Sequence, residues 1–218
     1  MLGNQGAVEP PPGYLSQAYA AVRAAGGVCI ADEIQVGLAR TGKTFWAFEH
    51  EHTVPDIVTV AKAAGNGHPV GAVMCRREIA DALGRRASFF SSPGGGPVSC
   101  EVGLAVLDAI ADEGLQENAA AVGGRLRREL ETLAERHPAI GAVHGRGLYL
   151  GVDLVIDRAS KAPDRPLARA VCERKRRLGV VVQPTGRARV AEQPITGSCC
   201  PTLRRRHACF SSSPSSCW

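Results

Sequence analysis

The chain has 218 residues, of which 44% are hydrophobic and 22% are charged, a composition typical of globular proteins. No apolar run approaches the roughly 18 residues of a membrane span, and no secretory leader pattern opens the sequence, so we expect neither a membrane partner nor secretion. Residues 1–186 carry 21 basic and 20 acidic side chains, and the formal charge of +5 therefore lies mainly in residues 187–218. A nearly neutral body argues against nucleic-acid binding.

Hydrophobic periodicity predicts alternating helices and strands along the chain. A helix is expected over residues 14–25, where Gly26 and Gly27 end it, followed by Val- and Ile-rich strands over 28–33 and 56–62. The later predicted elements are a strand over 70–75, helices over 76–83, 98–112 and 115–136, strands within 143–155, a helix over 167–177 and a strand over 179–183. This order indicates an α/β protein, with the two Val- and Ile-rich strands buried in a parallel sheet.

Three regions differ in pattern and suggest a domain division. Residues 1–113 hold the first predicted sheet, and residues 114–186 combine a long helix with glycine-rich strands in a smaller unit. Residues 187–218 lose hydrophobic periodicity and become rich in Ser, Cys, Arg and Pro, which predicts a disordered or frame-shifted tail.

Cysteine usage indicates a reducing compartment. Four cysteines of the body, Cys29, Cys75, Cys100 and Cys172, stand singly in apolar surroundings and are expected to be reduced and buried. The four tail cysteines lack the paired spacing of a metal site, and no metal is expected. We therefore expect a cytoplasmic protein.

Asp32 and Lys62 are the most informative residues, because each ends one of the Val- and Ile-rich strands. Ligands of open α/β sheets bind at the carboxyl ends of such strands. A carboxylate and an amine at that edge suggest pyridoxal phosphate (PLP), with Lys62 as the Schiff-base lysine and Asp32 beside the pyridinium nitrogen. The alternative is an ordinary solvated lysine and aspartate.

The segments around these two residues resemble class III PLP-dependent aminotransferases. The resemblance rests on residues 32–37 (Asp-Glu-Ile-Gln-Val-Gly), 40–42 (Arg-Thr-Gly) and 55–62 (Pro-Asp-Ile through Lys). It implies fold type I, with part of the large cofactor domain and part of the small C-terminal domain present in a fragment. It also implies that Asp32 binds the ring nitrogen, that Ile34 packs against the ring, that Gln35 approaches the ring hydroxyl, and that Lys62 holds the aldehyde carbon.

A second stretch, residues 90–97 (Phe-Ser-Ser-Pro-Gly-Gly-Gly-Pro), is similar to the family's Ser-Thr-x-Gly-Gly-x-Pro segment. The resemblance implies that Ser92 contacts the cofactor phosphate of the neighbouring subunit, and hence a homodimer with shared active sites. Residues 65–69 (Gly-Asn-Gly-His-Pro) and 97–100 look most like the ethanolamine-phosphate and phosphohydroxylysine phospho-lyase branch.

The function expected from this resemblance is PLP-dependent chemistry on a primary amine or amino acid, through Lys62. Transamination and elimination of phosphate share the loss of the Cα proton, and both remain open. The alternative, from a different functional class, is a truncated, non-catalytic homologue that serves as an interaction or regulatory module.

Overall fold

Two β-sheets organise the protein, for which a computed structural model describes residues 1, 3–185 and 188–192. The first sheet contains β1 (Ile30–Asp32), β2 (Ile57–Val60) and β3 (Ala72–Cys75) in that spatial order. β1 runs parallel to β2, as expected, whereas β3 runs antiparallel to β2. The connection from β2 to β3 is too short for a crossover helix, so the chain turns back beside β2.

The parallel pair is fixed by a buried carboxylate. Asp56 is 2% exposed and accepts a hydrogen bond of 2.7 Å from the backbone N–H of Cys29. Arg23, from the helix α1 (Tyr14–Ala24), lies 3.2 Å from the same carboxylate. The hydrogen bond from Cys29 holds the pKa of Asp56 below its ordinary value. Helix, first strand and second strand are thereby tied together at one end.

Burial of the first sheet is lower than the sequence predicted. Ile30 is 58% exposed, and every residue of β3 is exposed. The expectation of four buried cysteines is also wrong in part, since Cys29 is buried while Cys75 and Cys100 are exposed. The helices α2 (Arg77–Arg86) and α3 (Pro97–Asp112) follow β3.

The second sheet is antiparallel throughout and holds β4 (Ile140–Arg146), β5 (Tyr149–Leu154), β6 (Gln183–Thr185) and β7 (Arg189–Glu192) in the order β4-β5-β7-β6. Helices α4 (Leu115–Arg136) and α5 (Arg165–Arg177) cover it. The buried side chains between them form the main core: Leu130, Ile140, Leu150, Val152, Leu154, Ala168, Ala188 and Val190. The bounds of α4 coincide with the predicted helix.

The C-terminal strands depart from the prediction. The expected strand over 179–183 is instead β6, and β7 continues the sheet beyond Gly186, where the folded body was expected to end. β7 pairs with both β5 and β6, and Val190 is buried, so this strand is part of the core. Residues 188–192 of the predicted disordered or frame-shifted tail are described, whereas residues 186–187 and 193–218 lie outside the described residues. The division at residues 113 and 114 falls between α3 and α4 and stays a prediction.

Gly123 sets how closely α4 approaches the turn between β4 and β5. A Cβ atom at this position would lie well inside van der Waals contact with the carbonyl group of Gly147. The next residue, Gly124, has only the flexible end of Arg128 nearby, 3.6 Å from such a Cβ. Gly123 and Gly124 therefore differ in how much space lies beside them.

We expect Gly123→Ala to lower the free energy of unfolding by about 1–3 kcal/mol, because backbone must move to admit the methyl group. Gly124→Ala is the matched control and should be neutral or stabilising by up to about 1 kcal/mol, the usual effect of alanine in a helix. Urea unfolding of both variants measures the difference. Equal stabilisation by the two changes would contradict the close approach.

Candidate functional site

A cavity of about 670 Å³ lies at the carboxyl ends of β1 and β2. Four of the five predicted site residues line it, namely Asp32, Ile34, Gln35 and Lys62. The N-terminal segment also contributes to its wall, as do residues of the 3₁₀ helix Ala47–Glu51. Parallel pairing produces this arrangement, because β1 and β2 end at the same edge of the sheet.

Asp32 is the last residue of β1, and its register partner on β2 is Thr59. The side chain is exposed to the cavity edge, and its Oδ1 accepts a hydrogen bond of 3.1 Å from the backbone N–H of Ile34. An Asx-type turn of this kind orients a carboxylate on a short side chain. Asp32 is therefore presented by the strand end and held there by the turn that follows.

Lys62 begins a short 3₁₀ helix, Lys62–Gly65, directly after β2. Its backbone φ is 50°, in the left-handed region that side chains other than glycine rarely adopt. The chain leaves the sheet at this point, and the exposed lysine lines the cavity. Backbone strain of this kind clusters at functional positions.

Glu33 stabilises the wall of the cavity, a role that the sequence did not predict. It is 4% exposed, and its carboxylate accepts hydrogen bonds from the backbone N–H groups of Ala47 (2.7 Å) and Phe48 (3.1 Å). Burial raises the pKa of Glu33, which the two backbone donors partly offset. These bonds hold the 3₁₀ helix against the end of β1. An acidic residue inside an apolar segment was the signal available in the sequence.

Gln35 takes part in a hydrogen-bond network that reaches the second sheet. The hydroxyl of Tyr149, on β5, donates to Oε1 of Gln35 at 2.6 Å and lies 2.8 Å from the carbonyl oxygen of Gly3. The amide nitrogen of Gln35 donates to Oδ1 of Asn4. No sequence signal marks Tyr149, which stands between two leucines and resembles an ordinary core residue.

Ser92 is not brought to this cavity. It is exposed in the loop between α2 and α3 and does not line the cavity of its own chain. His68, in the 65–69 segment that follows Lys62, lies 3.0 Å from the hydroxyl of Ser99 on α3. It lines a second cavity, of about 510 Å³, on the other side of the lysine turn.

The donor set of the larger cavity fits PLP. A carboxylate suits a pyridinium nitrogen, an amide suits a ring hydroxyl, and a primary amine suits an aldehyde carbon. Ile34 adds an apolar surface for the ring. Among the residues that the structure describes, no cluster of three or more metal-ligating side chains occurs, and no helix is long and apolar enough to cross a membrane.

Comparison with known proteins gives the family. The model of the aminotransferase class-III family matches residues 1–195. A mitochondrial relative from Arabidopsis thaliana, alanine–glyoxylate aminotransferase 2 homolog 2, is 52% identical over 184 residues, which is 84% of this chain and 38% of the relative. The chain belongs to the class III aminotransferase family.

Two solved structures share the fold. A phospholyase from Arthrobacter, in complex with phosphoethanolamine, superposes with a TM-score of 0.84 at 37% identity and covers 88% of this chain and 46% of its own. An amine transaminase from an uncultivated Pseudomonas species, in a PLP-bound form, gives a TM-score of 0.80 at 32% identity over 88% and 45% of the two chains. The expected fold type I architecture and the PLP cofactor of the family are confirmed.

The comparison also corrects one expectation and sets a limit. The expected cytoplasmic location is wrong, because the Arabidopsis relative is named mitochondrial. Unpaired cysteines indicate only a reducing environment, and the sequence argument could not separate two such compartments. This class III chain spans about two fifths of the length of that relative, as expected of a fragment.

An ion-pair network in the class III chain anchors the N-terminal wall of the cavity. Arg189, on β7, pairs with the carboxylate of Asp153, on β5, with one contact at 2.9 Å, and also donates to the carbonyl oxygen of Gln5. His144 lies 2.8 Å from the same carboxylate. Burial alone would raise the pKa of Asp153, but the hydrogen bonds from His144 and Arg189 outweigh it and lower the pKa to about 2.

Asp153→Asn should lower the free energy of unfolding by removing a stabilising contribution that the wild type itself loses in acid. A folded-state pKa of about 2, against 3.8 for an ordinary aspartate, means that ionised Asp153 stabilises the fold fully above about pH 4 and loses this effect as the pH falls through about 2. We expect wild type to exceed Asp153→Asn by about 2 kcal/mol at neutral pH and the gap to close toward pH 2. Denaturant unfolding at several pH values measures it. A gap independent of pH would contradict the ion-pair assignment.

Proposed function

We propose that this chain supplies the cofactor-attaching part of a PLP-dependent class III enzyme that acts on a primary amine or amino acid. One observation carries the proposal: Asp32, Ile34, Gln35 and Lys62 line one cavity at the carboxyl end of a parallel strand pair. The matching relatives are named aminotransferases, which favours an enzyme over a non-catalytic module.

Each of these four residues has a distinct task in this proposal. When bound, PLP supplies an electron sink that lets the Cα–H bond of an amine substrate break. The amine of Lys62 would hold the cofactor covalently and, once free, would move the Cα proton of the substrate. The carboxylate of Asp32 keeps the proton on the pyridine nitrogen, and Gln35 donates toward the ring hydroxyl. Ile34 packs on the ring.

We further propose a homodimer with composite sites. Ser92 lies in an exposed loop away from the cavity of its own chain, beside Phe89 and Phe90, which are 82% and 87% exposed. Exposed aromatic residues next to one another are typical of a surface that a partner covers. In such a dimer Ser92 of one chain donates its hydroxyl to the cofactor phosphate held by the other.

Cofactor attachment should depend on Lys62 alone. In the full chain incubated with PLP and reduced with borohydride, we expect a peptide map to find the cofactor on Lys62. Lys62→Ala and Lys62→Arg should both lose the visible absorption band, since guanidinium stays protonated and is a poor nucleophile.

Lys43→Ala and Lys43→Arg are matched controls, because Lys43 is also exposed but does not line the cavity. Both should retain the band. Attachment to another lysine would overturn the assignment of Lys62, and absence of any attachment in wild type would favour the non-catalytic alternative.

The reaction type follows from one further measurement. The Arthrobacter phospholyase binds phosphoethanolamine, whereas the Arabidopsis relative is named an aminotransferase, so elimination and transamination are both represented among similar proteins. With phosphoethanolamine and no keto acid, we expect the PLP-loaded protein to release phosphate, ammonia and an aldehyde if it is of the lyase subtype, which the 65–69 segment favours. Turnover only in the presence of a keto acid would instead identify an aminotransferase.

A further inference from the structure

Tyr149 is a fully buried ionisable side chain that none of the tasks above uses. It is 1% exposed and packs with Ala7, Val36 and Ala47 in a small core behind the cavity. Tyr149 does not itself line the cavity, but its hydroxyl is 2.6 Å from Oε1 of Gln35, which does. A buried hydroxyl normally has a hydrogen-bond partner, and here that partner belongs to the site.

Direction matters in this contact, because a side-chain amide has two different ends. The oxygen end of Gln35 accepts from Tyr149, and the nitrogen end donates to Asn4, another cavity-lining residue. An ionised ring hydroxyl needs a donor, so the nitrogen end must face the cavity side for the task given to Gln35. A hydrogen-bond donor that fixes the oxygen end therefore selects the useful orientation of the amide.

The N-terminal segment packs closely against this pair of side chains. The Tyr149 hydroxyl has one proton and two acceptors within reach, and the contact to Oε1 of Gln35 (2.6 Å) is shorter than the one to the carbonyl oxygen of Gly3 (2.8 Å). A Cβ atom at Gly3 would lie only 3.1 Å from Cβ of Gln35 and 3.3 Å from that hydroxyl. The N-terminal segment thus passes tightly over the pair. Tyr149 is separated from Gln35 by 114 residues, so the contact joins the second sheet to the cofactor cavity.

We propose that Tyr149 is a positioning residue, whose hydroxyl fixes the side-chain amide of Gln35 with its nitrogen end toward the cofactor cavity. The structural part of this inference stands on the contact alone. Its consequence for PLP rests on the function proposed above.

The first test needs no cofactor. In the full chain with its glutamine side chains labelled with ¹⁵N, loss of one signal pair in Gln35→Ala identifies the Gln35 amide. Tyr149→Phe keeps the ring and its packing but removes the hydroxyl, and we expect the Gln35 signals to move and their solvent exchange to rise about fivefold, the factor for one ordinary hydrogen bond. Thr41→Val, which removes another buried hydroxyl, should leave these signals unchanged.

The second test measures PLP affinity in a double-mutant cycle. Tyr149→Phe should weaken binding about fivefold when Gln35 is present and have no effect in the Gln35→Ala background, because it acts through that side chain. Equal weakening in both backgrounds overturns the proposal, as does an unchanged Gln35 signal in Tyr149→Phe. If wild type binds no PLP, the proposed function fails, and the signals of the Gln35 amide alone decide whether Tyr149 positions it.

Discussion

The hydrogen bond from the Cys29 backbone to the buried carboxylate of Asp56 is the constraint on which the site depends. It lies just before β1 and β2 pair, and it aligns two strands that are far apart in the chain. Because the strands are parallel, their carboxyl ends, and with them Asp32 and Lys62, come to one edge. A carboxylate that is buried and already paired costs less to keep ionised there than an isolated one. The geometry of the site at the carboxyl ends of the strands is thus established by a contact at their amino ends.

Much of this geometry could be predicted because its signals are local. Strand-end residues such as Asp32 and Lys62 follow Val- and Ile-rich runs, and parallel pairing alone then places them together. The limits of α4 were also local, since Gly114 precedes the helix and Pro138 follows it, and its apolar residues recur with helical spacing. The sequence predicted where such segments lie along the chain. It did not predict how deeply they are buried, because burial depends on what packs against them.

Other features were missed because they depend on contacts between distant segments. The direction of β3 follows from the length of a loop, which periodicity does not address. β7 is short and two of its four residues are charged, so its sequence resembles a loop, yet β5 and β6 supply partners on both sides. Tyr149 looks like any aromatic residue of a core strand. Its role becomes visible only when the fold places Gln35 beside its hydroxyl.

The cavity does not belong to one of the two sheets. Asp32 and Lys62 come from the first sheet, but Tyr149 and Arg189 reach the cavity-lining N-terminal segment from the second, at Gly3 and Gln5. A division of the chain near residue 113 therefore separates the groups proposed to bind the cofactor from the groups that hold them in place. Since a side chain misplaced by about 1 Å is enough to impair catalysis, the second sheet is as much a part of this site as the strands that carry Asp32 and Lys62.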